Sequence, residues 1–337
     1  MGICLSSGSS TRHGGEGHDN IVYLQGSGSP KGILERLGSI HSKTGSRCIN
    51  QDAAILHEGY NFELGSFCGV FDGHGKHGHE VSRIVRNRLP TILLEQMKGL
   101  QNMEDSEYIK PVKENHRWEK ACRRAFKRMD KEIRQKGDVD YSCSGTTAVV
   151  AIRQGDDLYI ANLGDSRAVL VTYNGGSLLP IQLTTDFKPS IEGEAERIRS
   201  CNGRVFALKA EPHIQRVWLP YANSPGLAMS RAFGDFLLKD HGIIALPDVT
   251  HRRLTCNDQF IVLASDGVWD VLSNEEVAFI VWGSDSETAA AKAVVEVAAT
   301  MWRKRYQDAK VDDCTAVCLF LQKKQKRSML ASPKVVS

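Results

Sequence analysis

At four places in this chain acid residues border an apolar or small-residue run. SFCGVFDGHG, residues 66 to 75, breaks at Asp72, Gly73, His74 and Gly75, and QFIVLASDGVWD delivers Asp266 and, one turn later, Asp270. Asp312 and Asp313 precede CTAVCLFL, and Asp165 sits in NLGDSR. Carboxylates and backbone carbonyls are hard oxygen ligands, so a set of them without His or Cys favours Mg²⁺ or Mn²⁺ over Zn²⁺. A pair of such ions can share one aspartate, activate a water and clamp the oxygens of a phosphoryl group during in-line attack. Asp72 is the expected shared ligand, with Gly73 and Gly75 permitting close backbone approach. His74 directly follows, and its imidazole makes it the candidate general acid for a leaving alkoxide. Arg47, in SRCINQD, offers a guanidinium fork to phosphate oxygens. His77 and His79 extend the histidine run, but they open a helical pattern and are expected to face solvent.

Short strands must carry these tips. SFCGVFD, TTAVVAI, DLYIANL, SRAVLVT, FIVLAS and CTAVCLFL all read as strands. Turn residues separate 148–152, 158–163 and 168–171, which predicts an antiparallel meander. Helical patterns cover about 79–98, 116–136, 190–201, 274–282 and 286–307, the fourth opened by a capping box of Ser273 and Glu276. Helices on both sides of a block of strands imply an α+β domain with helices covering the sheets.

Three segments are expected: a Gly/Ser-rich arm at 1–37, one catalytic domain at 38–322 and a basic, disordered tail at 323–337 containing KKQKR. The arm begins MGICLS, which fits N-myristoylation at Gly2, with Cys4 available for palmitoylation. A single acyl chain binds membranes only marginally, so the second one would make anchoring stable. The chain is therefore expected in the cytoplasm, at the inner face of the plasma membrane when acylated, with the nucleus as a further compartment. Nine cysteines without a C-x-x-C pair and no secretory segment fit free thiols in a reducing interior, with Cys314 and Cys318 filling a buried strand. The net charge of +3 comes from 43 basic and 40 acidic residues, so no global field points to nucleic acid or to acidic partners and composition leaves the partner open. No nucleic-acid partner is expected, since no basic stripe interleaved with aromatics accompanies the acidic tips. No apolar run is long enough to span a bilayer.

NQDA, GVFDGHG, SGTTAVVAI, NLGDSRAVL, LTTDFKP, EAERI, GLAMSRAFGD, ASDGVWDVLS and DDCT, in that order, resemble the type 2C metal-dependent protein phosphatase family across about residues 38–322. The stretch RVWLPYANSPGLAMSRAFGD is similar to plant members. The resemblance implies a four-layer α-β-β-α sandwich, two central antiparallel sheets flanked by helices, with a binuclear Mg²⁺ or Mn²⁺ centre at one end. It implies dephosphorylation of phosphoserine and phosphothreonine in proteins, by a monomer. By the same resemblance Asp72 bridges both ions, Gly73 supplies a carbonyl, and Asp266 and Asp312 hold the second ion. Asp165 and Asp270 match positions that help hold an additional ion, Arg47 matches the phosphate-binding arginine and His74 the general acid. Gln51 departs from the family's usual glutamate, and Asp313 from its usual asparagine; Asp312 is preferred over Asp313 as the ligand.

Three rival readings are weaker. Cys122 and Arg128 have the C-x₅-R spacing of a cysteine-dependent phosphatase, but they lie in a charged helical pattern with no glycine loop. A metal-dependent nuclease would need a basic stripe interleaved with aromatics. A weak or silent phosphatase-fold binding module has only Gln51 in its favour. Trp218, in the variable flap at about 187–250, is expected to pack in the fold.

Overall fold

Short, nearly continuous apolar runs broken by turns produce two large sheets whose central strands are buried on both faces, and helical segments close each outer face. The computed structural model describes residues 20–25, 37–61, 65–106, 114–306, 311–322 and 334–335. The chain starts with β1 (Ile21–Gln25), β2 (Gly38–Lys43), β3 (Ala53–Glu58), β4 (Gly65–Phe71), β5 (Gly73–His74), α1 (Gly78–Ser106) and α2 (Glu114–Arg134). A block of strands follows: β6 (Gly145–Thr146), β7 (Ala148–Gln154), β8 (Asp157–Leu163), β9 (Arg167–Asn174) and β10 (Ser177–Gln182). The flap contains α3 (Glu192–Ser200), β11 (Arg204–Ala207), β12 (Gln215–Trp218), β13 (Pro225–Leu227), β14 (Phe233–Gly234) and the one-turn α4 (Phe236–Lys239). Then come β15 (Asp248–Arg253), β16 (Asp258–Ala264), the one-turn α5 (Asp266–Trp269), α6 (Asn274–Gly283), α7 (Ala290–Arg305), β17 (Cys314–Phe320) and β18 (Lys334–Val335).

One six-stranded sheet runs β1-β3-β4-β7-β8-β15, and the other runs β18-β10-β9-β16-β17-β2. Neighbours pair antiparallel except at one edge of each sheet, where β1 joins β3 and β18 joins β10 in parallel. The period-two rule sorts β7 cleanly: Val149 and Ala151 pack between the sheets, and Val150 and Ile152 pack under the helices. Leu170 of β9, Leu263 of β16 and Val317 of β17 meet them from the other sheet. Outside the first sheet lie α1 and α2, the latter with an apolar face at Trp118, Cys122, Phe126, Met129 and Ile133. Outside the second lie α6 and α7, through Val277, Val294 and Ala298. The result is the expected α-β-β-α order. Ser273 caps α6: its hydroxyl accepts from Glu276 N–H at 3.2 Å and its own N–H donates to Glu276 at 2.8 Å.

Three expectations need adjusting. Strands β7 and β8 form the predicted hairpin, but β9 leaves it for the second sheet, and β15 takes the place beside β8. The turn at Gly164, with φ +102°, makes the crossing. Strand β9 is apolar on both sides, Ala168 and Leu170 inward and Val169 and Val171 outward, so it needs a sheet on one face and helices on the other. Within the predicted arm, IVYLQ forms β1 on the sheet edge, because its β-branched and aromatic side chains outweigh the Gly/Ser composition around it. Within the predicted tail, Lys334 and Val335 pair with Ser177 and Leu178. Gly2, Cys4 and KKQKR lie outside the described residues.

Cys68, Cys122, Cys314 and Cys318 are buried free thiols. Trp218 packs as expected, stacked on Phe206 at 5.1 Å with its indole N–H donating to the Phe206 carbonyl at 3.0 Å. Among the described residues no helix is long and apolar enough to cross a membrane.

Candidate functional site

The acidic tips gather at one end of the sandwich because the strands that carry them end there. Asp72 follows β4, Asp266 follows β16, Asp312 and Asp313 precede β17, Asp52 precedes β3, and Asp165 lies between β8 and β9. Backbone hydrogen bonds fix the first tip. The Asp72 N–H donates to the Thr147 hydroxyl at 3.0 Å, while its carbonyl accepts from Thr147 N–H at 2.9 Å and Thr146 Oγ1 at 3.0 Å. Gly73 N–H donates to the Gln51 carbonyl at 3.2 Å, and a Cβ at Gly73 would collide with the Gly78 and Gln51 carbonyls, so only glycine fits.

Asp72 and Asp266 meet directly through a hydrogen bond between their carboxyls, which requires one of them to be protonated. Burial, and then the neighbouring carboxylates, push both well above the ordinary range. Asp52, 1% exposed, is raised to about 8 by burial and by the charge of Asp313; its Oδ2 accepts from Ser265 Oγ at 2.7 Å and its Oδ1 is buried without a partner among the described residues. Asp165, 3% exposed, is raised to about 6 chiefly by burial, and its Oδ1 is likewise unpartnered. Like charges crowded together with orphaned oxygens are what a cation would neutralise, and oxygen donors suit a hard divalent ion. Among the described residues no three His, Cys, Asp or Glu side chains form a ready-made cage.

Asp312 and Asp313 divide the work at the fourth tip. Asp313 is buried, and its two oxygens accept from Gly45 N–H and Gln51 N–H, each at 2.8 Å, which clamps the loop that carries Arg47. Asp312 is left facing the cluster, 3.4 Å from Arg47 Nη2. Gln51 links two parts of the site: its Oε1 accepts from Arg47 Nη1 at 2.9 Å and its Nε2 donates to the Gly75 carbonyl at 2.6 Å. Arg47 is thus positioned beside Asp312, its charge supported by Asp312, Asp313, Asp72 and Asp266 against the cost of burial.

His74 has a partner that sequence reasoning missed. Its Nε2 lies 2.6 Å from Asp235 Oδ2, and its Nδ1 is buried without a partner among the described residues. A small sheet, β14-β6-β5, brings them together, and a Cβ on Gly145 would collide with both side chains. Asp235 ends AFGD, an apolar run closing in Gly-Asp, so a local signal existed. Asp52 sat in plain view after Gln51. Lys188, which faces Asp165 and Asp270 at 4.0 and 3.6 Å, had no local signal, since an isolated lysine is ordinarily a surface charge. Asp270 pairs with Lys188, its backbone N–H donates to the Asp266 carbonyl at 2.8 Å, and its charge adds to those acting on Asp165 and Asp266. His77 and His79 are engaged by Glu80, at 3.0 and 3.8 Å, and are partly buried, not solvent-facing. Cys122 lies inside α2 and Arg128 is held by Glu95 and Glu132, so no phosphate loop forms there.

A family model described as protein phosphatase 2C matches residues 41–310. The chain belongs to the protein phosphatase 2C family. This phosphatase is 52% identical over 336 residues to "Probable protein phosphatase 2C 72" of Arabidopsis thaliana, an alignment covering 97% of this chain and all of that one. It is 49% identical to "Probable protein phosphatase 2C 61" of the same plant, over 96% of this chain and 97% of the relative. Among solved structures it superposes on the serine-threonine phosphatase 2C of Toxoplasma gondii with a TM-score of 0.72 at 25% identity, covering 84% of this chain and 94% of that one. The sandwich of the phosphatase is therefore the family's fold.

Proposed function

We propose that this protein serine/threonine phosphatase hydrolyses phosphoserine and phosphothreonine in proteins at a binuclear Mg²⁺ or Mn²⁺ centre. The observation that carries the reading is the direct meeting of the Asp72 and Asp266 carboxyls, both pushed upward, with Asp312 and Arg47 alongside. Asp72, the Gly73 carbonyl, Asp266 and Asp312 would hold the two ions, and Asp165 with Asp270 a further one. Bound there, such ions supply a water nucleophile at neutral pH and neutralise phosphoryl charge. Arg47 orients the phosphoryl oxygens through its fork while Gln51 holds it in place. His74, fixed by Asp235 through Nε2, delivers a proton to the departing serine or threonine oxygen.

Metal removal tests the reading. A phosphothreonine peptide should be turned over with Mn²⁺ and left intact in EDTA, with activity restored by excess Mn²⁺. Undiminished turnover in EDTA removes the metal; no turnover under any condition favours the silent binding module to which Gln51 points.

Residues 38–322 are proposed as the catalytic domain, acting as a monomer on phosphoproteins in cytoplasmic signalling. Residues 1–37 are proposed as an arm acylated at Gly2 and Cys4 that brings the enzyme to the inner face of the plasma membrane. Gly2→Ala should then move the protein from the membrane to the soluble fraction, and an unchanged distribution ends the acylation reading.

A further inference from the structure

Lys188 places a positive charge inside the acidic end of the sandwich. Its Nζ lies 3.6 Å from Asp270 Oδ1 and 4.0 Å from Asp165 Oδ2, and Asp266 and Asp186 add to the field it feels. The backbone that carries it is pinned. Phe187 N–H donates to the Gly164 carbonyl at 2.9 Å, the Phe187 ring lies 3.7 Å beneath the Arg231 guanidinium, and the Lys188 carbonyl accepts from Ile191 N–H at 3.1 Å. The side chain is not pinned: it is 42% accessible, and neither ion pair is as short as a hydrogen bond. Its four-carbon stem can therefore swing the ammonium into solvent without moving the loop. Asp165, by contrast, is buried in the turn between β8 and β9, with Oδ1 lacking a hydrogen-bond partner among the described residues.

We propose that Lys188 is a tethered cation that competes with a divalent metal ion for the Asp165 and Asp270 pair, and so sets the metal concentration at which an additional ion binds. The proposal rests on the metal centre described above. A site that opens only when the lysine swings out has its apparent affinity reduced by the fraction of molecules in the open arrangement. Two carboxylates with one ammonium retain a net negative charge, whereas a divalent ion neutralises them fully, so a sufficient metal concentration displaces the lysine.

The test is calorimetric titration of Mn²⁺ into the metal-free full chain, comparing the wild type with Lys188→Met and Lys188→Arg. Lys188→Met should tighten the weakest class of Mn²⁺ sites about tenfold and leave the tight class unchanged. Lys188→Arg, which keeps the charge, should titrate like the wild type. The melting temperature of Lys188→Met should also rise more steeply with Mn²⁺. Unchanged or weaker binding in that class overturns the proposal, as does equal tightening in Lys188→Arg, which would assign the effect to lost packing. Tight Mn²⁺ binding with no effect of Lys188→Met sinks this inference alone, whereas a wild type that binds no Mn²⁺ sinks the metal centre and this inference with it. Should Lys188→Met not fold, the wild type carries the test through reductively ¹³C-methylated lysines, with Lys188→Arg identifying the Lys188 signal. That signal must shift as Mg²⁺ fills the weakest class, and an unmoved signal overturns the proposal.

Discussion

Glu194 in the flap and Asp266 at the end of the sandwich are both carboxylates in crowded surroundings, and the fold treats them in opposite ways. Glu194 receives Arg197 at 2.6 and 2.8 Å, Arg231 at 2.7 and 3.0 Å and Ser230 Oγ at 2.6 Å. Burial alone would raise it, but these hydrogen bonds bring it down to about 2. Asp266 has Asp72, Asp165, Asp312 and Asp270 around it, and it is pushed well above the ordinary value of 3.8. A carboxylate supplied with its own guanidinium groups is a structural joint, here tying α3 to the segment that leads to Asp235. Carboxylates supplied mainly with one another are unstable as anions until a cation arrives, and that imbalance marks the functional end of the molecule.

Asp72→Asn should show the contrast most strongly. Activity on a phosphothreonine peptide with Mn²⁺ is expected to fall by about 10³-fold, comparable to the loss of a central charge-stabilising group. The melting temperature in EDTA should hold or rise, because a repelling carboxyl is gone. A large loss of stability would mean that Asp72 is structural.

Glu194→Ala should do the reverse, costing about 3 kcal/mol in urea unfolding because it leaves Arg197 and Arg231 without their anion in a largely buried place. If the variant is as stable as the wild type, the joint is not one.

Asp235→Asn lies between these two. Positioning of His74 predicts a loss of about 10²-fold on the phosphothreonine peptide, whose alkoxide leaving group needs a proton, and a much smaller loss on p-nitrophenyl phosphate, whose leaving group does not. Equal losses on both substrates would assign Asp235 to folding alone.

The smallest effect is in the dependence of stability on pH. The lowered Glu194 contributes stability that is complete above its ordinary value of 4.5 and is lost as pH falls toward about 2. The raised carboxyls act with the opposite sign: the folded state holds their protons longer than the unfolded chain, so in EDTA stability should fall as pH rises through about 6 for Asp165 and about 8 for Asp52. Mn²⁺ should flatten that decline in melting temperature, since it takes the place of the protons. A decline of the same size with and without Mn²⁺ would separate the acids from metal binding.

The amino-acid sequence alone determined the strand tips and the residues on them. Asp72, Asp266 and Asp312 border apolar runs, where the continuously buried strands β4, β16 and β17 give way to partly exposed positions. The capping box of α6, the apolar face of α2 and the buried Cys314 and Cys318 were legible for the same reason: each depends on contacts or spacing within one segment. Only the tertiary structure decided the pairs between segments. His74 meets Asp235 across 161 residues, and Asp313 meets Gln51 across 262, which turns Asp313 into a clamp and leaves Asp312 exposed to the cluster. Local periodicity also placed β9 in the hairpin's sheet, whereas its two apolar faces could be covered only in the other one. Partner choice over such separations is set by how whole sheets pack, and a single stretch of sequence records its own faces but not what will cover them.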